Sequence, residues 1–360
     1  MSILVTGAAG FIGSNIMKRL AEHGEDVIGI DNINDYYDPA LKYARLAVCG
    51  FQHDDVAWEN NIAQSHTMPN CRFIRMNISN REDMQRLFKR YAFKYVVHLA
   101  AQAGVRYSLS HPYNYLRSNL DGFLNVLECC RHQAVEKLVF ASSSSIYGLN
   151  SKTPFHEDDV TDSPVSLYAA SKKSDELLAF SYCKLYELKA VGLRYFTVYG
   201  PWGRPDMAPS LFAHALLHGE TIKLFNNGDM IRDFTYIDDI VDGTLAVLHT
   251  QQQPDDNGVN FNVYNIGSSH PVALLDFVKT METAFGRKAV TKLLPMQPGD
   301  VYATYADTSR LLHDTGFQPR VTLEEGIRRF AQWYTSEQNP LEQDTETATT
   351  IADKTVRHEL

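Results

Sequence analysis

The sequence predicts an α/β fold, a doubly wound parallel sheet accompanied by a smaller lobe, from three observations. Short apolar runs alternate with helical patterns along the first two thirds of the chain, which indicates repeated βαβ units. The run 95–101 is almost continuously apolar, as expected for a parallel strand that is buried on both faces. The chain has 360 residues, of which 44% are hydrophobic, and this is too much for one small domain.

The first strand leads into a glycine-rich turn. Residues 3–6 are apolar or β-branched, and Gly7, Gly10 and Gly13 follow them before a helical pattern begins at Ser14. Gly7 permits a tight turn, Gly10 lets the backbone approach a phosphate, and Gly13 lets the helix pack on the strand. The helix N-terminus adds free N–H groups and a positive dipole end. The turn is therefore predicted to bind a pyrophosphate.

The second strand supplies the matching acidic residue. The apolar run 26–30 ends at Asp31, about twenty residues after the glycines, as a dinucleotide-binding unit requires. A carboxylate at this position can accept hydrogen bonds from both ribose hydroxyls and would repel a 2′-phosphate. The pattern predicts a Rossmann-type domain that binds NAD in preference to NADP.

The later elements continue the alternation. Helices are predicted over 14–24, 39–48, 81–91, 119–132, 166–188 and 236–249, and strands over 72–77, 95–101, 137–141, 190–196 and 261–266.

Domain boundaries follow from the breaks in this alternation. Residues 50–70 are polar and irregular, and a cluster of prolines and glycines after Gly200 marks a crossing into a second lobe. The predicted domains are an NAD-binding domain of residues 1–200 with 236–267, an interleaved α/β substrate-binding lobe of 201–235 and 268–335, and a polar, disordered tail of 336–360.

Charge, apolar runs and cysteines exclude several classes of protein. The net charge is −9, so the chain has no general basic bias toward nucleic acid or anionic membranes. No apolar run reaches the length of about eighteen residues that spans a bilayer. The five cysteines contain no CxxC pair, and the chain opens on its first strand without a signal peptide. These features predict a cytoplasmic protein with reduced thiols.

One group of side chains loosely imitates a zinc site. Cys49, His53, His66 and Cys71 lie close together in the sequence, but they are not arranged as two short knuckles. A polar surface insertion is the simpler interpretation, and no metal is predicted.

A tyrosine and a lysine carry the predicted chemistry. Tyr168 and Lys172 are four residues apart in a helical pattern, so they share one helix face. A nearby ammonium stabilises phenolate and lowers the pKa of tyrosine toward neutrality. The strand 137–141 ends in four consecutive serines, 142–145, which places hydroxyls at the carboxyl edge where the nicotinamide should lie.

This combination of glycine turn, strand-end serines and YxxxK resembles the extended short-chain dehydrogenase/reductase family from Ile3 to about Trp333. The resemblance implies catalysis by Ser143, Tyr168 and Lys172. Ser143 matches best by position, and Ser142, Ser144 and Ser145 remain alternatives. It also implies a cofactor site for NAD with these residues: Gly7, Gly10, Phe11, Ile12, Gly13, Asp31, Asn32, Asn77, Ile78, Leu99, Ala100, Ala101, Asn119, Tyr168, Lys172 and Tyr195.

Within that family the chain is similar to the nucleotide-sugar epimerases, and most similar to the UDP-glucuronate 4-epimerases. The segments that carry this similarity are 31–37, 103–108, 194–207 and 296–301. Dehydratases and decarboxylases of the family carry an acidic residue where this chain has 143–147, and here no carboxylate stands there. The resemblance therefore implies NAD-dependent epimerisation at C4 of a UDP-sugar, in carbohydrate metabolism and polysaccharide biosynthesis.

The resemblance also suggests a substrate site. Hydroxyl donors would meet a uronate carboxylate, with an arginine close by, while a further arginine would bind the diphosphate. The candidates are Arg106, Ser143, Ser144, Ser145, Thr197, Arg204, Leu224, Phe225, Arg232 and Asp300. Arg106 and Arg204 could instead brace loops, and Leu224 and Phe225 could instead be core residues. Gln297 stands where many relatives have an arginine.

Other interpretations stay open. A UDP-glucose or UDP-N-acetylhexosamine 4-epimerase differs only in its contacts to C6 of the sugar. A decarboxylase or 4,6-dehydratase is a second alternative, against which the missing acidic residue counts. A third is an NAD-sensing regulator without activity; such proteins typically lose the tyrosine or the lysine, and both are present here.

Relatives pair the two helices 119–132 and 166–188 into a four-helix interface, which implies a homodimer.

Overall fold

The computed structural model describes residues 2–297 and 301–342. Its strands are β1 (Ser2–Thr6), β2 (Val27–Asp31), β3 (Ile62–Gln64), β4 (Cys71–Arg75), β5 (Phe93–His98), β6 (Lys137–Ser143), β7 (Ala190–Tyr195), β8 (Thr197–Tyr199), β9 (Thr221–Leu224), β10 (Ile231–Tyr236), β11 (Phe261–Ile266), β12 (Pro271–Ala273), β13 (Val290–Leu293) and β14 (Ala303–Thr304).

Helices cover both faces of the sheet. They are α1 (Phe11–Glu22), α2 (Pro39–Val48), α3 (Arg81–Arg90), α4 (Tyr107–Ser110), α5 (Pro112–Tyr115), α6 (Gly122–His132), α7 (Leu167–Tyr186), α8 (Ala208–His218), α9 (Ile237–His249), α10 (Leu274–Phe285), α11 (Ser309–Thr315) and α12 (Leu323–Tyr334). Among the described residues no helix has both the length and the apolar character needed to cross a membrane.

The main sheet has eight strands in the order β11-β7-β6-β5-β1-β2-β4-β3. Every neighbouring pair is parallel except β3 and β4. The order reverses direction on either side of β1, so the carboxyl ends of β1 and β5 border a crevice in which ligands bind in such sheets. The prediction of a doubly wound parallel sheet is confirmed.

The core lies on both faces of this sheet. Ile3 and Val5 belong to one buried cluster and Leu4 to the other, because successive side chains of a strand point to opposite faces. Such burial on both sides explains why the parallel strands are continuously apolar in the sequence.

Smaller sheets lie outside the main one. Strand β10 pairs with β8, β12 and β14, and β9 pairs in parallel with β13. The predicted division into two lobes stays a prediction. Of the predicted tail, residues 336–342 are packed, since Asn339 is buried and its side chain donates to the Tyr334 carbonyl at 2.8 Å. Residues 343–360 lie outside the described residues.

Several predicted boundaries were wrong, and one strand was missed. Helix α1 begins at Phe11 rather than Ser14, because the Ser14 N–H already donates to the Gly10 carbonyl at 3.0 Å. Strand β5 ends at His98 rather than at 101, because the N–H of Ala100 turns to the Thr6 hydroxyl at 3.1 Å. The irregular segment 50–70 contains β3, an antiparallel edge strand too short to show a period.

A buried ion pair joins helix α7 to strand β7 of the main sheet. Glu176 on α7 accepts two hydrogen bonds of 2.9 Å from Arg194 of β7, and a third of 2.6 Å from the hydroxyl of Ser142. Arg194 also donates to the Tyr147 hydroxyl at 3.0 Å, which in turn donates to Asn265 at 2.6 Å. This network holds the ends of β6, β7 and β11 against α7.

The substitution Glu176→Gln should destabilise the protein by about 3 kcal/mol, because it leaves a buried guanidinium without its counter-charge. Urea unfolding followed by circular dichroism measures the change. The control Glu82→Gln removes an exposed carboxylate whose oxygen lies 3.8 Å from Arg86. An equal effect of both substitutions would contradict a special role for the buried pair.

Candidate active site

The glycine turn after β1 is closed so tightly that side chains do not fit. Gly7 has φ of +71°, and a Cβ atom there would lie 2.8 Å from the Ala100 nitrogen. A Cβ on Gly13 would lie 2.1 Å from the Gly7 carbonyl oxygen, which also accepts from the Gly10 N–H at 2.9 Å. Phe11 and Ile12 begin α1 directly after this turn. The cradle therefore fits a dinucleotide whose pyrophosphate meets the helix N-terminus.

Asp31 lies beside this cradle, as predicted. Its carboxylate accepts hydrogen bonds from the Ala9 N–H at 3.2 Å and the Ile33 N–H at 2.8 Å. The ammonium of Lys42 lies 3.6 Å from the same carboxylate and offsets part of its charge. The lysine was not singled out in the sequence, because it sits eleven residues further on in a separate helix.

Three residues of the predicted NAD site, Asn32, Asn77 and Ile78, follow the ends of β2 and β4. Asn32 accepts from the Asn34 N–H at 3.2 Å, and Asn77 accepts from the Ser79 N–H at 2.9 Å. Both amides thus shape turns at the carboxyl edge. Ile78 is buried, and its side chain would lie 2.6 Å from a Cβ on Gly122, so Gly122 permits this close contact.

Asn119 connects the loop after β5 to the catalytic helix. The loop contains the predicted residues Leu99, Ala100 and Ala101, all half-buried. Asn119 accepts from the Gln102 N–H at 2.8 Å and donates both to the Gln102 carbonyl and to Ser171 of α7. It sits in a π-helical turn, Leu116–Asp121, a feature frequent at functional sites.

Tyr168 and Lys172 lie in the first two turns of α7. The helix is capped by Ser166, whose hydroxyl accepts from the Ala169 N–H at 3.1 Å. Tyr168 is half-buried, with its ring edge-on to Tyr115 at 6.2 Å. Lys172 is buried, and its ammonium donates to Asp175 at 3.2 Å.

Asp175 is the nearest counter-charge to Lys172 that the structure records. Burial raises the pKa of this carboxyl, against the opposing effect of the Lys172 ammonium. Its second oxygen, Oδ1, is buried and has no hydrogen-bond partner in the described part of the chain. Burial and the Lys172 charge also lower the pKa of a histidine, His98, to about 3, so this imidazole is neutral at pH 7.

The four strand-end serines separate into different environments. Ser142 is buried and donates to Glu176, so its hydroxyl belongs to the network that supports the helix. Ser143 ends β6, and its hydroxyl donates to Ser145 at 3.1 Å. Ser144 and Ser145 line a cavity beside the start of α7. The geometry thus removes Ser142 from the candidates that the sequence left open.

This cavity lies between the main sheet and the smaller sheets. Its wall includes five of the predicted substrate-binding residues, Arg106, Ser144, Ser145, Thr197 and Arg232. It also includes residues that the sequence analysis did not predict as ligands: Val105, Tyr147, Gly148, Phe155, Val165, Ser166, Gln297, Val301 and Thr304. Most of these are apolar or carry no spacing pattern, so no local signal marks them.

The two arginines of the cavity wall, Arg106 and Arg232, contact other residues of the chain. Arg106 lies with its guanidinium 5.3 Å from the centre of the Phe225 ring. Arg232 donates to the Tyr302 carbonyl at 3.0 Å and the Val301 carbonyl at 2.8 Å. The side-chain Oε1 of Gln297 is buried and has no partner among the residues that the structure describes.

Other predicted residues lie away from the wall. Arg204 pairs with Asp206 and stacks over Tyr36, so the loop-bracing alternative describes it better. Leu224 is buried in the core, and Tyr195 is buried with its hydroxyl 2.9 Å from Thr244 of α9. Asp300 lies outside the described residues.

Arg45 is a structural residue that the sequence did not reveal. It is fully buried, and it donates to the Ala9 carbonyl of the cradle at 3.2 Å and to the Trp202 carbonyl at 3.0 Å. It therefore ties the glycine turn to the segment that leads into the smaller sheets.

Comparisons with known proteins identify the family of this chain. The model of the NAD dependent epimerase/dehydratase family matches residues 3–267, and the chain belongs to this family. UDP-glucuronate 4-epimerase 4 of Arabidopsis thaliana is 43% identical over 93% of this chain and 76% of its own length.

Solved structures are also similar. The crystal structure of UDP-glucuronic acid 4-epimerase from Bacillus cereus, in complex with UDP-glucuronic acid and NAD, is 33% identical with a TM-score of 0.81, covering 92% of this chain and 98% of that one. The UDP-glucose 4-epimerase of Thermotoga maritima with UDP-glucose is 30% identical with a TM-score of 0.78, covering 93% and 98%.

The substitution Gly13→Ala should abolish retention of NAD, because the new methyl group would collide with the Gly7 backbone and push α1 away from the turn. The NAD released by acid from the purified protein measures this loss. The control Gly24→Ala, at the other end of α1, has a positive φ but no atom within 4 Å of the new Cβ. Retention of NAD by the Gly13 variant would contradict the cradle.

Proposed function

We propose that this protein is a UDP-glucuronate 4-epimerase, which converts UDP-glucuronate to UDP-galacturonate with NAD as its cofactor. The observation that carries the proposal is the cavity wall, where Ser144, Ser145 and Thr197 present hydroxyl donors and Arg106 a guanidinium. Ser166 of the same wall caps the helix that bears Tyr168 two residues later. The relatives with this fold act at C4 of nucleotide sugars.

In the proposed epimerisation, Tyr168, Lys172 and Ser143 have separate roles. When bound, NAD supplies a reversible hydride acceptor for C4 of the sugar. Tyr168, as phenolate, takes the proton of the 4-hydroxyl and returns it after the 4-keto sugar has turned over in the cavity. Lys172 stabilises the phenolate, and Ser143 shares the hydrogen-bond network of the hydroxyl. Because C4 of the sugar is first oxidised and then reduced again, no net redox product forms.

Recognition of the uronate requires donors for a buried carboxylate, since an unpaired buried charge is prohibitive. Ser144, Ser145 and Thr197 offer three hydroxyls without adding charge, and Arg106 supplies a positive field at the same wall. Arg232 is the wall's other arginine, and a planar guanidinium suits the oxygens of a diphosphate. A neutral sugar would give the hydroxyls and the Arg106 guanidinium no anionic group to bind. This favours a uronate over a neutral sugar as the substrate.

The direct test uses the purified protein without added NAD. Incubation with UDP-glucuronic acid should produce a UDP-galacturonate anomeric signal in the proton NMR spectrum, with no carbon dioxide and no net NADH. Conversion of UDP-glucose or UDP-N-acetylglucosamine alone would retain the epimerase and overturn the uronate assignment. Release of carbon dioxide would indicate a decarboxylase.

Tyr168→Phe should reduce turnover by at least about a thousandfold and leave bound NAD unchanged, because only the proton-transferring oxygen is lost. Ser143→Ala should lower kcat by about a hundredfold. Ser142→Ala is the matched control, since its hydroxyl serves the Glu176 network, and it should lower the unfolding midpoint more than kcat. The reverse order of the two serine variants would contradict the assignment of Ser143.

Asp175→Asn should raise kcat/KM above about pH 7 and leave it unchanged well below that pH. Burial raises the pKa of Asp175 to about 7, so this carboxyl is mostly ionised at the higher pH and mostly protonated at the lower one. Where it is ionised, it opposes the Lys172 ammonium, and its removal leaves more positive charge to stabilise a phenolate at Tyr168. Glu176, the neighbouring carboxylate, is paired with Arg194, and His98 is neutral, so neither should replace the lost charge. An equal change of kcat/KM at all pH values would contradict this electrostatic role.

We further propose a homodimer formed through α6 and α7. Large apolar side chains are exposed along these two helices: Leu124, Leu177, Phe180, Leu185 and Tyr186. Such a patch marks an interaction surface, and in a symmetric dimer the same helices of both copies pack together.

Leu177→Asp should convert the dimer to a monomer in sedimentation velocity, because it would bury two carboxylates at the symmetric contact. The control Leu312→Asp places the same charge on an exposed leucine of α11. Unchanged sedimentation of the Leu177 variant would overturn this interface.

The proposed setting is the cytoplasm and polysaccharide biosynthesis. All five cysteines are unpaired and buried, which suits a reducing compartment. The expected product is a nucleotide-linked uronic acid, a donor for glycosyl transfer.

A further inference from the structure

Three metal-ligating side chains converge at a place remote in sequence from the proposed chemistry. His214 and His218 lie one turn apart on α8, and Glu342 comes from the short 3₁₀ helix Pro340–Glu342. One ligand atom of each lies within 4.8 Å of the others. We propose that His214, His218 and Glu342 form a binding site for a divalent transition-metal ion of the Zn²⁺ class.

The spacing of the ligand atoms suits such an ion. The Nδ1 atom of His214 lies 3.2 Å from one carboxylate oxygen of Glu342, and the Nε2 atom of His218 lies 2.7 Å from the other. Tetrahedral zinc with bonds of about 2 Å requires its ligand atoms to be about 3.3 Å apart. Small rotations of the side chains therefore admit the ion, and two imidazoles with one carboxylate form a known zinc ligand set.

The groups behind the ligands support the same assignment. The other ring nitrogen of His214, Nε2, faces Glu220 at 3.7 Å. A histidine that ligates a metal commonly directs its second nitrogen at a carboxylate, which orients the ring and raises its basicity. The carboxylate of Glu220 is thus placed where it could orient the ring of His214.

The proposed ligands imply a pH dependence of binding. Histidine coordinates a metal ion through a ring nitrogen that carries no proton, so protons and the ion compete for the two imidazoles. Affinity should therefore increase with pH as the imidazoles become neutral.

The position of the site indicates a structural role. None of the three residues belongs to the wall of the candidate active-site cavity. An ion shared by α8 and the segment after α12 would bind the folded chain and not the unfolded one, and it would stabilise the fold by mass action. The sequence analysis did not find this site because Glu342 lies 124 residues beyond His218.

Titration calorimetry with ZnCl₂ tests the proposal on the full chain, with any affinity tag removed and after dialysis against EDTA. At pH 7.5 we expect one equivalent of Zn²⁺ to bind with a dissociation constant in the micromolar range or below. The thermal unfolding midpoint should rise with added Zn²⁺. Binding should weaken strongly at pH 5.5, and Co²⁺ in place of Zn²⁺ should give the visible absorption of a tetrahedral site.

Single substitutions connect the ion to these residues. His218→Ala and Glu342→Gln should each weaken Zn²⁺ binding by at least about a hundredfold and remove the zinc-dependent rise of the midpoint. The matched control His66→Ala removes an exposed histidine whose Nε2 also pairs with a carboxylate, that of Asp55 at 2.8 Å, and it should bind Zn²⁺ like the unaltered protein. Absence of saturable binding, or equal binding by all variants, would overturn the site. Epimerase activity is a separate measurement, so neither result depends on the proposed reaction.

Discussion

The burial of the ion pair between Glu176 of α7 and Arg194 of β7 is the constraint on which this structure depends most. Glu176 and Arg194 are each nearly inaccessible to water, and each would be costly without the other. The network extends to Ser142 of β6, to Tyr147 after it, to the Glu157 carbonyl and, through Tyr147, to Asn265 of β11. Because every polar group in the network is satisfied by another, the carboxyl edges of these strands and the start of α7 share one geometry. Ser143 and Tyr168, the residues of the proposed chemistry, lie on the elements that share this geometry.

The sequence predicts best where the physical requirement is local. Gly7 and Gly13 leave no space for a Cβ atom, so the turn can be read directly from the residue types. The strand 261–266 was predicted with the observed limits, because its aromatic and β-branched residues favour a strand. The pair Tyr168 and Lys172 follows from the helix period alone. Each of these features depends on residues within a few positions of one another.

Prediction failed where the deciding partner is far along the chain. Nothing near Ser142 shows that its hydroxyl meets Glu176, so four serines remained candidates until the fold brought the acid beside one of them. Arg204 could not be distinguished from a substrate ligand until Asp206 and Tyr36 were seen around it. The π-helical turn at Asn119 is equally invisible, since its cause is a set of hydrogen bonds to Gln102 and Ser171 rather than a local preference.

The negative net charge of this protein restricts how it can bind an anionic sugar nucleotide. The chain carries a net charge of −9, so binding must rely on local cations. Three of the arginines nearest the sheet edge are already engaged: Arg45 with backbone carbonyls, Arg194 with Glu176, and Arg204 with Asp206. Arg106 and Arg232 are the arginines of the described cavity wall. Arg232 also donates to the Val301 and Tyr302 carbonyls, and a diphosphate and a uronate together would draw on both arginines. Hydroxyl donors can then complete the carboxylate shell without adding a buried charge that must be neutralised whenever the cavity is empty. The serine-rich end of β6 therefore suits a substrate that brings its own negative charge.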